Sequence, residues 1–252
     1  MNYISVDPSL VSTALVVNGK IYNYCLESKV NIKSGMSKWF KSAEPYCTYR
    51  FIKYNKFNNY SDGEISKIND YSVICDNIIS DIKSNLLPGD VIFGSEGYNF
   101  GAQVGDLIDL VAFSTILRKK IYDSITKNII IVSPSTLKLE SCKLTYDPII
   151  KETGKRVKRI KYEWRNNIGI PGGNFTKKDI ALSIIDNQTI DDPWFRYIKS
   201  IQDDIMVLKS IKKPHEDIND AVILYHLLKL GKISLSVSWF LMFIYSEWDW
   251  KI

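Results

Sequence analysis

The apolar positions of this chain change period several times, and each change marks an element. Residues 3–7, 12–17 and 20–27 are short, apolar and β-branched, which predicts three strands. Asn18-Gly19 between the second and third is a strong two-residue hairpin signal, because both central positions of such a turn take positive φ. Ile65, Ile68, Val73, Ile74, Ile78, Ile79 and Ile82 approximate helical spacing. They predict a helix running to about Leu86, with Ser61 or Asp62 as its cap. Pro88-Gly89-Asp90 predicts a turn, residues 91–95 a fourth strand, 103–121 a second helix and 129–132 a buried strand. Residues 31–60 mix basic with aromatic side chains and read as irregular. Residues 144–165 read as an inserted hairpin, with arms at 145–150 and 156–164 around Glu152-Thr153-Gly154-Lys155. Gly172-Gly173-Asn174 is a loop, and Asn174 or Thr176 caps a helix to about 185. A second basic and aromatic linker leads to a last helix over 217–230. The order βββ-α-β-α-β-hairpin-α-α predicts an α/β fold with a mixed sheet flanked by helices.

At 252 residues the chain is long enough for one substantial core. The expected organisation is one domain over 1–232, with insertions at about 31–60 and 144–172, and an apolar extension over 233–252. Val237 to Tyr245 within that extension is too short to span a bilayer and reads as a core or interface element. Cys25, Cys47, Cys75 and Cys142 are widely spaced, and neither His215 nor His226 completes a zinc pattern with them. Free thiols and a first segment unlike a secretory signal lead us to expect a cytoplasmic protein. The net charge of +5 is concentrated. Between Lys151 and Arg165 lie seven Lys or Arg (Lys151, Lys155, Arg156, Lys158, Arg159, Lys161, Arg165) and two Glu, so this segment alone carries the whole excess. A local basic excess of this kind reads as an anion-binding patch, and the hairpin is the expected contact for a phosphate backbone.

Four carboxylates change the picture further. Asp7 ends the first apolar strand, and Glu96 ends the fourth. Asp217 and Asp220 open the last helix. Taken singly, Asp7-Pro8 reads as a turn opener, Asp217 as a helix cap and Glu96 as a strand-end surface residue. Taken together, two strand ends and a helix start can bring carboxylates from distant parts of a chain to one place. Clustered carboxylates repel unless cations lie between them, and hard oxygen ligands suit Mg²⁺ or Mn²⁺. Neighbouring Glu216 reads as surface charge.

These elements and carboxylates, in this order, resemble the RNase H-like superfamily, and within it the RuvC-type Holliday junction resolvases. The resemblance rests on Ile4-Ser5-Val6-Asp7-Pro8-Ser9, where the family has an apolar strand ending in Asp-Pro-Gly. It rests also on Glu96 with the following aromatics and Gly101-Ala102-Gln103-Val104-Gly105, and on Pro134-Ser135-Thr136-Leu137-Lys138. Thr176-Lys177-Lys178-Asp179-Ile180 and Asp217-Ile218-Asn219-Asp220-Ala221 complete the set. Ser9 departs from the usual glycine, and the segments 31–60 and 144–172 are longer than in small bacterial members. The resemblance implies a metal-dependent endonuclease acting on branched DNA during recombination, as a homodimer that makes two symmetric cuts. It implies two Mg²⁺ or Mn²⁺ ions held by Asp7, Glu96, Asp217 and Asp220, with Asp7 bridging because the first strand is central in that fold. Lys138 and Lys177 fall where the family carries lysines near the scissile phosphate, and Lys178 competes with Lys177 for that role. Tyr98 and Phe100 fall where an aromatic stacks on bases near the junction. A viral or phage member, acting in the host cytoplasm, fits the residue usage.

Two other readings stand beside this one. The chain resembles other RNase H-like nucleases that cut RNA–DNA hybrids or process viral DNA, although it has no Gly-x-x-x-x-Gly-Lys-[Ser/Thr] loop and so no nucleotide cofactor is expected. The third reading is a non-catalytic nucleic-acid-binding or structural protein on the same fold. Convergence of Asp7, Glu96 and Asp220 separates the catalytic readings from the structural one.

Overall fold

The structure is a computed structural model, and it describes residues 1–27, 36–54, 59–98, 104–153, 159–164 and 175–233. In chain order the described elements are β1 (Asn2–Asp7), β2 (Ser12–Val17), β3 (Lys20–Leu26), α1 (Met36–Ala43), β4 (Thr48–Ile52), α2 (Tyr60–Lys83), β5 (Val91–Glu96), α3 (Val104–Ser124), β6 (Ile129–Val132), α4 (Pro134–Lys143), β7 (Pro148–Thr153), β8 (Arg159–Trp164), α5 (Lys177–Asp186), α6 (Pro193–Ser200), α7 (Gln202–Met206) and α8 (His215–Lys229). The first three strands form an antiparallel meander. Its second turn is Asn18-Gly19, with φ of 49° and 86°. Asn and Gly tolerate that left-handed conformation best. The Asn18 side chain then ties the turn to β1, accepting from the Tyr3 amide at 3.1 Å and donating to the Asn2 side chain at 2.8 Å.

β5 lies parallel to β1 on the side away from β2, and β6 lies parallel to β5. β4 adds to β3, also parallel, so the mixed sheet runs β4-β3-β2-β1-β5-β6. The α/β class and the mixed sheet agree with the hydrophobic pattern. Alternate residues of the central strands face two apolar layers. Ile4, Val6, Leu15, Val17 and Phe93 meet α2 and α3 through Ile74, Ile78, Ile82, Phe113 and Leu117. Ala14 and Val16 belong to the other layer, with Val222, Ile223 and Leu227 of α8 and with Trp194, Phe195 and Ile198 of α6.

Four local expectations are corrected. Residues 31–60 are not irregular throughout, since they hold α1 and β4. α1 does carry a helical period that the sequence reading passed over, since Met36, Trp39, Phe40 and Ala43 fall at i, i+3, i+4 and i+7, but it lasts only two turns; among its described side chains Phe40 and Ala43 are buried. β4 is an edge strand, and it exposes Thr48, Arg50 and Phe51. Arg50 grips Asp81 of α2 with a two-pronged pair at 2.7 and 2.9 Å, while Tyr24 donates to the same carboxylate at 2.5 Å. The linker before the last helix folds as α6 and α7. Asp192 caps α6 and Pro193 occupies its first turn, a start signal with a clear mechanism. α2 is capped by Asn59 rather than Ser61 or Asp62. The hairpin forms as expected, but its arms are β7 and β8, with Thr153 opposite Arg159. Lys155, Arg156, Lys158 and Arg165 lie outside the described residues, as do Phe100 and residues 234–252 of the apolar extension. Among the described residues no helix is long and apolar enough to cross a membrane.

α8 sits unusually close to the sheet. The Ser5 hydroxyl donates to the Ala221 carbonyl at 2.6 Å. A Cβ on Gly94 would come within 2.7 Å of Leu228 Cδ1 and 3.4 Å of Leu224 Cγ. Gly94→Ala is therefore expected to destabilise the fold by about 1–3 kcal/mol through overpacking. Denaturant unfolding in EDTA measures it, and wild-type stability would mean that α8 has room to yield.

Candidate metal centre

Strand register brings the first two carboxylates together. β1 and β5 pair in parallel, Ser5 with Gly94 and Val6 with Ser95, so Asp7 and Glu96 end adjacent strands. Side chains alternate along a strand, so Ser5, Asp7, Gly94 and Glu96 share the face that α8 covers. On α8, Asp220, Leu224 and Leu228 are spaced by four and line one side of the helix. Leu224 and Leu228 rest on Gly94, which sets Asp220 over the strand ends.

One carboxylate oxygen from each of Asp7, Glu96 and Asp220 lies within 4.8 Å of the other two, and all three residues are buried. Burial, followed by the neighbouring Glu96, pushes the Asp7 carboxyl well above the usual range. Asp220 is 1 % exposed, and its Oδ1 has no hydrogen-bond partner. A buried carboxylate oxygen without a donor is costly. An all-oxygen set with such an orphan fits a hard divalent cation of the Mg²⁺ or Mn²⁺ type.

Asp217 is buried one turn earlier but turns to a different partner. Lys213 Nζ donates to both of its oxygens, at 2.8 and 3.0 Å, and to the Ser9 hydroxyl at 3.2 Å. The structure thus groups three of the four expected ligands and gives the fourth to a lysine. Lys177 is the residue of its pair that faces the site: its ammonium bonds Asp220 and lies 3.8 Å from Glu96. Lys178 instead donates to the carbonyls of Met206 and Leu208 at 2.8 Å. Burial opposes the Lys177 charge, but Asp7, Glu96, Glu216 and Asp217 outweigh it and raise its pKa. Lys213 is raised in the same way, chiefly by Asp217.

Glu216 is not surface charge, in correction of the sequence reading. It is half-buried, and burial with nearby Asp217 raises its pKa against the pull of Lys177, Lys213 and Lys138. Lys138, on α4, therefore lies near the rim of this cluster. Sequence reading missed Lys213, although its place four residues before Asp217 is a recognisable helical pairing distance. Tyr98 is partly buried, and its hydroxyl accepts from Arg118 at 2.8 Å. Arg159 and Lys161 lie on β8, and their side chains are not among those described.

No protein-family model, curated protein or solved structure matches this chain.

Proposed function

We propose that the chain is a metal-dependent endonuclease of the RuvC type, on an RNase H-like fold, that cleaves branched DNA such as Holliday junctions. The observation that carries this reading is the convergence of Asp7, Glu96 and Asp220 from two central strand ends and a helix start, beside Lys177. The central position of β1 in a mixed, helix-flanked sheet supports the fold assignment. The cluster is not sealed, since the side chains of Lys177 and Lys213 keep 28 % and 29 % of their surface exposed. That opening favours catalysis over a retained fold with a structural role.

When bound, a divalent pair supplies an activated water and relief of charge on the leaving oxygen. Asp7, Glu96 and Asp220 would hold it. Asp217, fixed by Lys213, orients groups at the edge of the same site. Lys177 carries its positive charge to where a phosphate oxygen becomes more negative, which lowers the barrier. Lys138 adds charge at the rim. The basic β7–β8 hairpin, with Lys155, Arg156, Lys158, Arg159, Lys161 and Arg165, would engage the arms, and Phe100 the unpaired bases, while the Tyr98 hydroxyl is taken by Arg118. Two symmetric cuts in a four-way junction require a homodimer.

The test is incubation of the purified chain with labelled four-way, three-way, flap, duplex and RNA–DNA hybrid substrates in Mg²⁺, Mn²⁺ and EDTA. Metal-dependent cleavage of the branched substrates is the expected result. Preference for the hybrid would favour the alternative RNase H-like nuclease, and binding without cleavage in either metal would favour the non-catalytic reading.

A further inference from the structure

Arg118, on α3, has an environment unlike that of the cations around it. Next to it in sequence, Lys119 pairs with Asp123 and Lys120 with Asp76. Arg118 meets no carboxylate among the described residues. Its NH1 donates to the Tyr98 hydroxyl at 2.8 Å and its NH2 to the Glu96 carbonyl at 3.0 Å, with the Ser95 hydroxyl more distant at 3.5 Å. The Tyr98 ring lies 4.8 Å from the guanidinium carbon. All of these partners are neutral. Arg118 Nε is buried with no acceptor.

Arg118 is half-buried, and withdrawing a cation from water without a counter-charge is unfavourable, so an anion bound there would be stabilising. A guanidinium carries five N–H donors in a planar fork that matches phosphate oxygens. The bonds to Tyr98, Glu96 and Ser95 fix that plane and leave donors free. Position identifies the anion. Glu96 links the two sites at the end of β5, since its carbonyl accepts from Arg118 on the α3 side while its carboxylate meets Asp7 and Asp220 on the α8 side. A nucleic-acid strand with one phosphate at the carboxylates brings a neighbouring phosphate of the same strand towards this guanidinium.

We propose that Arg118, held level by Tyr98 and the Glu96 carbonyl, binds a backbone phosphate flanking the one at the carboxylates, an inference that rests on the nuclease reading above. The phosphate supplies the counter-charge that no described carboxylate provides, and so offsets the cost of withdrawing the arginine from water. Tyr98 then acts through Arg118 as a positioning residue rather than as a free stacking platform.

Fluorescence anisotropy of a labelled four-way junction, in Ca²⁺ and over a range of KCl, tests this on the full chain. Arg118→Gln is expected to raise Kd roughly tenfold, the scale of one lost hydrogen bond to a charged group. It is also expected to flatten the slope of log affinity against log salt by about 0.9. Tyr98→Phe keeps the charge and removes the hydroxyl, so its Kd should rise roughly threefold with the slope retained. A folded Arg118→Gln protein with wild-type Kd and slope overturns the proposal. If that variant does not fold, an unchanged Kd for Tyr98→Phe overturns it instead. Wild-type cleavage alongside either negative result removes only the Arg118 assignment. A wild-type chain that cuts none of the substrates removes the nuclease reading together with it.

Discussion

Asp7→Asn protein is expected to lose metal-dependent cleavage by about three orders of magnitude or more and still melt at a higher temperature than wild type in EDTA. The first effect follows from its place in the cluster. A ligand shared by the carboxylate set supports several kcal/mol of charge stabilisation, and each ~1.4 kcal/mol is tenfold in rate. The second effect follows from burial. Asp7 is 6 % exposed and faces Glu96, and its carboxyl is held well above the ordinary 3.8. Without metal, the folded protein binds a proton at Asp7 more readily than the unfolded chain does. The contribution of Asp7 to stability is therefore fully present at low pH and is lost as pH rises from about 3.8 through the raised folded value. The amide abolishes this titration, so the stability of the variant should vary less over that window. Each kcal/mol of relieved repulsion should raise the melting temperature by ~2–4 °C. Cleavage and thermal melts in EDTA across pH measure both effects. Wild-type cleavage by the pure variant would end the metal-site assignment, and a lower melting temperature in EDTA would contradict the electrostatic account.

Asp220→Asn and Asp217→Asn should differ, although the two residues sit three apart on one helix. Asp220 contributes an oxygen to the cluster, and its Oδ1 has no donor, so its loss should again lower the rate about a thousandfold. Both oxygens of Asp217 are engaged by Lys213. Its loss should cost less, roughly ten- to a hundredfold, by freeing Lys213 and changing the local charge. Single-turnover rates at saturating Mg²⁺ compare them. The reverse order would mean that Lys213 gives up Asp217 when metal arrives and that Asp217, not Asp220, is the firmer ligand.

Much of this was legible in the sequence because it depended on short-range rules. The Asn18-Gly19 turn, the apolar strands and the last helix each carry their own signal, and the two strand-end carboxylates stand at the ends of those signals. What was missed depended on long-range contact. α1 and β4 are short, and their order depends on distant partners: Arg50 of β4 holds Asp81 of α2, and the Tyr49 hydroxyl of β4 donates to the Phe40 carbonyl of α1. The side chain that the cluster keeps from the Lys177-Lys178 pair was beyond sequence, because the choice lies in which way α5 faces α8. Glu216 looked solvated because the charges that meet it, Lys177 and Lys138 among them, come from distant parts of the chain. Arg118 gave no signal at all, since a basic residue among lysines on a helix reads as surface until its neighbours are known.

The close seat of α8 on Gly94 and Ser5 fixes where variation can enter. Asp220 is held by the same helical face that fills the core, so the carboxylate cluster cannot be widened or re-aimed by a loop movement. Changes in substrate choice therefore have to arise at the periphery, in the hairpin and the segment after Glu96, while the helix behaves as an all-or-none part. Substitutions deep in α8, far from any phosphate, would be as silencing as substitutions of the ligands themselves.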